Sequence, residues 1–335
     1  MAAYTAIDDP SAYFKVQLYT GDGAANNAIT FDDTDTDMQP DLVWIKNRDT
    51  TDGHCLFDAL RGATKLLDTQ SNAVETTDTD TLDSFASDGF QVDDDDKVNT
   101  DTEKYVSWNW KESATAGFDI VAYSGTGSAK TESHSLSAVP YLMIVKRRTN
   151  AINDWAVYHH KNTSAPETDY LRLSTTNATT DSVYIWNDTA PTSSVFSVGT
   201  GSETNDSTST NIAYLWSEKQ GYSKFGGYTG NGNADGTFVY TGFRPAWVMI
   251  KRTDAARSWA IYDSIRYPEN LASIPALWAD LNDAEGAYTT VDFLSNGFKI
   301  RDTSATINTS GGDYIFMAFA EAPFVNSNGV PCNAR

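Results

Sequence analysis

Cysteine is almost missing from this chain: among 335 residues only Cys55 and Cys332 carry a thiol. Two thiols so far apart define no disulfide framework. Cys55 sits among apolar residues and reads as a small buried hydrophobe, and Cys332 as a free thiol. Histidine is scarce too, with His54, His134, His159 and His160 alone. No His-x-x-x-His or Cys-x-x-Cys spacing offers a transition-metal site. Bases are outnumbered, 24 Lys and Arg against 45 Asp and Glu, for a formal charge of −21. Such a surface repels phosphate backbones, so no nucleic-acid partner is expected. No apolar run reaches the length of a membrane span, and no membrane insertion is expected. Met1–Pro10 has neither the basic nor the apolar region of a secretory signal, so synthesis in a cytoplasm and release by lysis are expected.

What is present suits strands. Hydrophobic residues make up 40% of the chain and aromatics 12%, enough for real cores. Thr, Ser, Asp, Asn and Gly dominate the rest, while Leu, Glu and Lys are scarce for a helical protein. Acids gather in short runs, Asp32, Asp33, Asp35 and Asp37, then Asp93 to Asp96. These read as solvated loops. The first run imitates the start of a calcium loop, but Met38 and Trp44 stand where its Gly and Glu belong. No cofactor is expected, and loop calcium stays open without a defined ligand set. Asn-x-Ser/Thr triplets at Asn162, Asn177, Asn187, Asn205 and Asn308 fit a Thr-rich composition and are not read as glycosylated.

The chain repeats itself three times. Tyr-Thr-Gly-Asp-Gly at 19–23 returns as Tyr-Ser-Gly-Thr-Gly at 123–127 and Tyr-Thr-Gly-Asn-Gly at 228–232. Four further blocks follow in the same order each time: 39–48, 139–148 and 244–253; 54–58, 155–159 and 259–263; 89–92, 195–198 and 297–300; 105–112, 212–219 and 314–321. The period is about 105 residues, enough for a unit to bury its own core.

Each block reads as a strand. Leu42–Lys46, Leu142–Lys146 and Trp247–Lys251 are apolar runs after a Pro, read as buried or half-buried central strands. The blocks around Trp155 and Trp259 alternate, as a strand with one wet face should. Residues 58–67 and 271–281 could hold a short helix or turn. The glycine pairs lack the third Gly and following helix of a dinucleotide loop and are read as tight turns. The fold expected is all-β: three tandem antiparallel β-sandwiches of jelly-roll or concanavalin-like type. They would form beads on a string or touch one another.

No constellation points to catalysis. Asp58 and Asp263 recur, but the middle copy has His159 there, so no acid role survives all three units. No Gly-x-Ser-x-Gly elbow occurs. The recurring bases Lys46, Arg48, Lys146, Arg147, Lys251 and Arg252 read as guards of a solvated strand edge, with inter-unit pairing as the alternative. Trp44, Trp155, Trp247 and Trp259 hold repeat positions and read as core, with Trp110 and Trp216 in the closing strands. Trp186, with Tyr184 beside it, and Trp278 fall in variable stretches, which makes them the candidates for a glycan contact.

The run from Tyr-Thr-Gly-x-Gly through Leu42–Lys46, Ala59–Leu67, Asp83–Phe90 and Tyr105–Glu112 resembles a concanavalin-like or laminin-G-like module. Such modules recur in structural and tail-fibre proteins of tailed phages, particularly marine ones. The resemblance is fullest over 13–112, good over 221–323, and weaker in the middle copy, which lacks the Arg-Gly segment. It implies a non-enzymatic virion protein, carried as tail fibre, appendage or capsid decoration, with other virion proteins as partners. A homo-oligomer on the particle is expected, and a host cell-surface glycan is the alternative ligand, with the units then serving as a carbohydrate-binding array. The boundaries expected are an attachment arm at 1–12, units at 13–115, 116–220 and 221–323, and an extension at 324–335.

Overall fold

A computed structural model describes residues 4–31, 36–270, 275–286 and 290–332, and the described chain is all-β with antiparallel sheets. The first third supplies β1 (Phe14–Thr20), β2 (Asn27–Thr30), β3 (Leu42–Asn47), β4 (Cys55–Asp58), β5 (Lys65–Leu66), β6 (Thr76–Thr77), β7 (Leu82–Ala86), β8 (Gly89–Val92) and β9 (Lys104–Trp110). The second supplies β10 (Phe118–Ser124), β11 (Lys130–Ser133), β12 (Leu142–Arg147), β13 (Ala156–His159), β14 (Asp169–Arg172), β15 (Thr180–Asp181), β16 (Val195–Val198) and β17 (Thr210–Trp216). The third supplies β18 (Ser223–Thr229), β19 (Phe238–Tyr240), β20 (Phe243–Arg252), β21 (Ala260–Asp263), β22 (Leu277–Trp278), β23 (Val291–Leu294), β24 (Gly297–Ile300) and β25 (Asp313–Pro323).

The sequence repeats lie on sheets of matching order: β1-β9-β3-β4, then β10-β17-β12-β13, then β18-β25-β20-β21. The second sheet is extended by β14 and β15 and the third by β22. Even the register matches, with Phe14 opposite Trp110, Phe118 opposite Trp216 and Ser223 opposite Phe319. A smaller sheet accompanies each: β2-β8-β7, β11-β16 and β19-β24-β23. Between β4 and β5 the 58–67 stretch holds turns rather than a helix, and the described residues of the 271–281 stretch hold β22 and the turn after it.

Alternation in each large sheet sends side chains to two different cores. In β9, Val106, Trp108 and Trp110 face one cluster and Tyr105 another; in β13, Val157 does the first and Ala156 and Tyr158 the second. The second kind of cluster lies within one third of the chain, between its large and small sheets. The first is common to all three thirds and holds Trp44, Trp108, Trp110, Trp155, Trp216, Trp247 and Trp259. Trp110 meets Trp216 at 6.2 Å and Trp247 at 5.6 Å between ring centroids, joining three sheets in one aromatic contact. Truncating such a residue to Ala typically costs about 3–5 kcal/mol. The wet face expected for β13 and β21 is therefore absent: every residue of both strands is buried. The units are not beads on a string, because their inner faces make one core.

The ends join the same body. Ile7 is part of the common core and Thr5 is buried, where an attachment arm was expected. Asp8 accepts hydrogen bonds from the backbone and hydroxyl of Ser327, which ties the N-terminal segment to the C-terminal one.

One device missed in the sequence fixes the loops. Asn99, Asn205 and Asn308 are fully buried, each five residues before its closing strand. Their Oδ1 atoms accept from the backbone N–H of Asp22, Thr126 and Asn231, the middle residues of the glycine motifs. Their carbonyls accept from Gly23, Gly127 and Gly232, which have φ of 65°, 70° and 67°. The motif tyrosines Tyr19, Tyr123 and Tyr228 donate to the carbonyls of Val98, Thr204 and Ile307, each just before the Asn. A Cβ on the first glycine (Gly21, Gly125 or Gly230) would come within 2.1, 2.0 or 2.3 Å of a backbone oxygen, so only glycine fits. Two of the discounted glycosylation triplets begin at these buried asparagines.

Candidate functional site

The thirds meet cyclically, the first on the third, the second on the first and the third on the second. At the residue before β4, β13 and β21 stand His54, Trp155 and Trp259. Each ring nitrogen finds a carbonyl of a neighbouring third: His54 Nε2 with Trp278 at 3.0 Å, Trp155 Nε1 with Asp68 at 3.1 Å, Trp259 Nε1 with Arg172 at 2.8 Å. His54 Nδ1 accepts from Trp44 Nε1 at 2.8 Å, so its proton is on Nε2. Burial pushes its pKa well below the ordinary value, with the charge of Lys46 adding to the effect.

The recurring lysines Lys46, Lys146 and Lys251 guard no solvated edge: all are fully buried. Lys146 donates to Asn72 and Asn153 carbonyls, and Lys251 to those of Thr176 and Arg257, so each reaches the preceding third. Lys46 donates to Asn47 and Thr50. Burial lowers each of the three to about 8.

The positions of Asp58, His159 and Asp263 explain why the middle copy differs. Tyr214 Oη donates to Asp58 at 2.6 Å, and Trp108 Nε1 donates to Asp263 at 3.1 Å. Each acid also takes the guanidinium three residues on, Arg61 at 2.5 Å and Arg266 at 2.6 Å. The third closing strand has Met317 where the others have Trp108 and Tyr214, and Met has no proton to give. The residue facing that strand is His159, which instead donates from Nε2 to the Phe316 carbonyl at 3.1 Å. Burial and its neighbour His160 lower the His159 pKa to about 3.

A second layer of charge follows the same rule. Glu75 links Arg61 to Arg148, and Glu285 links Arg266 to Arg48, so both strand-end arginines meet acids across a seam. Burial alone would raise Glu75; the hydrogen bonds from Arg148 and Arg61 prevail and hold it below its ordinary value. At the third seam the equivalent residues are Thr179, Thr253 and Asn162, with Thr179 donating to Asn162 at 2.6 Å. The backbone pairing persists at all three seams: Glu75 to Arg148, Glu285 to Arg48 and Thr179 to Thr253. The remaining recurrent bases pair locally, Arg147 with Asp206 and Arg252 with Asp254.

The third seam also carries an open groove. One end, of 490 Å³, lies between the edge strands β18 and β19 and is closed by Tyr141, His160, Lys161 and Glu218 of the second third. It continues over Gly227 into a 480 Å³ stretch walled by Asn162, Thr163, Thr253 and Asp313. Phe238 and Tyr240 stand out from β19, 45% and 54% exposed. Opposite them the ring of His160 stacks on Tyr141 at 4.0 Å. Burial lowers the His160 pKa, and its Nε2 donates to the Phe225 carbonyl at 2.7 Å.

A family model described as a domain of unknown function (DUF7483) matches residues 9–323. The chain belongs to that family. Neither a curated protein nor a solved structure matches it. The matched span runs from the segment before β1 to the end of β25, so the family unit is the closed three-sheet body and not one of its thirds.

The residues nominated for glycan contact are not brought together. Trp186 is 1% exposed in the core of the second third, and Trp278 is 7% exposed in that of the third. Only Tyr184, 62% exposed, offers a ring to solvent. Both tryptophans nominated from the variable stretches fill the outer cores. Asp32, Asp33 and Asp35 lie outside the described residues, and Asp37 is exposed. Asp95 caps a single helical turn by accepting from Lys97, as a solvated loop acid would. Among the described residues no three His, Cys, Asp or Glu side chains group as metal ligands.

Proposed function

We propose that this chain is a non-enzymatic virion protein of a tailed phage, exposed on the particle as a fibre, appendage or decoration, and working in adhesion. The finer fold belongs to the same reading: three jelly-roll or concanavalin-like sandwiches in tandem. What supports it is the common core. A single chain welds three similar units around one apolar centre and fixes its loops with three copies of one asparagine clamp. That is the build of a rigid body that presents loops, and its buried ionisable groups at the seams are engaged in holding sheets together. The strongly negative surface suits an outward position, away from packaged nucleic acid.

Immunogold labelling of purified particles with an antibody to this chain tests the placement. Label at the tail tip or along fibres supports adhesion, and label over the head supports decoration. Particles without label would overturn the virion reading and leave the fold untouched. The second reading, carbohydrate binding, loses Trp186 and Trp278 as contacts and gains the seam groove.

A further inference from the structure

The three seams are built alike, yet one departs from the other two in four respects, all around the same groove. On the first strand of each large sheet, Gln17-Leu18 and Val121-Ala122 correspond to Gly226-Gly227 in the third copy. A Cβ on Gly226 would overlap the Phe316 ring at 2.5 Å, and one on Gly227 would come within 3.0 Å of the Tyr314 carbonyl oxygen and 3.7 Å of Lys161 Cβ across the seam. On the small sheets, the outward positions Ala28 and Thr30, or Thr131 and Ser133, become Phe238 and Tyr240. At the turn beyond β4, β13 or β21, exposed Leu60 and Ile265 correspond to exposed Lys161. The ionic layer of the other seams is here Thr179, Thr253 and Asn162. Chance drift would scatter such changes over the three seams; here they remove bulk, add aromatic faces and add hydrogen-bonding groups in one place.

The lining selects the ligand class. Aromatic faces on one wall and amide, hydroxyl and charged groups on the other suit a molecule with apolar C–H faces and a rim of hydroxyls. Asn162 lines the same wall, and its Nδ2 is buried there without a hydrogen-bond partner. An extended peptide adding to the edge of β18 is disfavoured, since the backbone of Phe225 within it is already covered. The Phe225 carbonyl accepts from His160, and its N–H donates to Glu218 at 3.2 Å. Glu218 is in turn paired with Lys224 at 2.6 Å. A polyanion would approach a chain of formal charge −21 against repulsion. We infer that the groove between the second and third sheets, floored by Gly227 and walled by Phe238, Tyr240 and the Tyr141–His160 stack, binds a neutral oligosaccharide.

This deepens the adhesion reading but is separable from it, because particle labelling does not depend on the groove. The test is affinity gel electrophoresis of the full chain through gels containing dextran, amylose, mannan, galactan or β-glucan, with an alginate gel for acidic polymers. Retarded migration is expected in at least one neutral gel, falling at least tenfold in apparent affinity in Tyr240→Ala and in Phe238→Ala. Both side chains are about half exposed, so the variants keep the fold, which their thermal transitions verify. Leu60→Ala and Ile265→Ala, at the equivalent places on the other seams, should leave the retardation unchanged. No retardation in any neutral gel, retardation by alginate alone, or retardation indifferent to both aromatic variants would each overturn the inference.

Discussion

The seams of this protein solve one packing problem in two chemistries. Between the second and first thirds, and between the first and third, the solution is ionic: Asp58 or Asp263, an arginine three residues on, a bridging glutamate and an arginine from the neighbour. Between the third and second it is neutral: His159, Asn162, Thr179 and Thr253. The backbone pairing underneath is the same. The difference shows that a buried charged network can be exchanged only as a set. Met317 cannot donate to an acid, an acid without its donor and arginine would be stranded, and an arginine without its acids would be stranded in turn. All the members are therefore changed together.

The largest effect should come from breaking one ionic set at a single point. Asp58→Ala leaves Arg61 buried without its closest acid and Tyr214 without an acceptor. A loss of about 3–5 kcal/mol in denaturant unfolding is expected. His159→Ala, at the matching neutral position, should lose about 1–3 kcal/mol, because it strands only a carbonyl and an N–H. Equal losses would erase the distinction between the seams. Installing the whole neutral set in place of the first, with Asp58→His, Arg61→Asn, Glu75→Thr, Arg148→Thr and Tyr214→Met together, should recover at least half of the loss seen in Asp58→Ala.

Acid should act next, through His159 on the neutral seam and in the same direction through His54 on an ionic one. The folded-state pKa of His159 is lowered to about 3 from an ordinary 6.5. Between those values the unfolded chain binds more protons, so stability falls as pH drops from 6.5 toward 3. The loss attributable to this residue is about 3 kcal/mol by pH 4.5. His159→Gln keeps a donor for Phe316 and an acceptor for the Lys161 N–H, and cannot titrate. Its unfolding free energy should fall less steeply over pH 6.5–4.5 than that of the unaltered chain; parallel slopes would show that His159 is not the group responsible.

How much of this could be read beforehand follows from distance along the chain. The repeated blocks are local and keep their order, so their strands were legible, down to those at 89–92, 195–198 and 297–300. The seams were not, because each partner lies in another copy: Asp58 waits for Tyr214, and Lys146 for Asn72. Treating His159 as the loss of an acid role was natural from one column of the repeat. Only the neighbouring column, with Trp108, Tyr214 and Met317, gives the substitution its reason. The asparagine clamp did leave a signal, an Asn five residues before every closing strand, but its flanks differ and no motif marks it. Phe238 and Tyr240 could be found only by asking which outward positions turn aromatic in a single copy.

The bridging layer gives a smaller contrast. Glu75→Ala unlinks Arg61 from Arg148, and a loss of about 1–3 kcal/mol is expected, as for one member of a half-buried pair. Thr179→Ala removes one hydroxyl bond to Asn162 and should cost less than about 1 kcal/mol. A Thr179→Ala loss as large as that of Glu75→Ala would mean the neutral seam is held as tightly by its hydroxyl as the ionic seams by their carboxylates.

The smallest effect is the most discriminating. Lys161 is exposed at a place where the other seams carry Leu60 and Ile265, also exposed. Lys161→Leu should therefore shift stability by no more than about 0.5 kcal/mol, as surface exchanges away from caps and cores do. If the substitution instead stabilises strongly, the lysine was costing the seam something, and its presence there would have to be explained by the groove alone. If stability holds while saccharide retardation falls, the lysine contributes to the ligand and not to the seam. The two roles would then be separated at one residue, where the ionic seams offer no such test because their bases are engaged in holding sheets together.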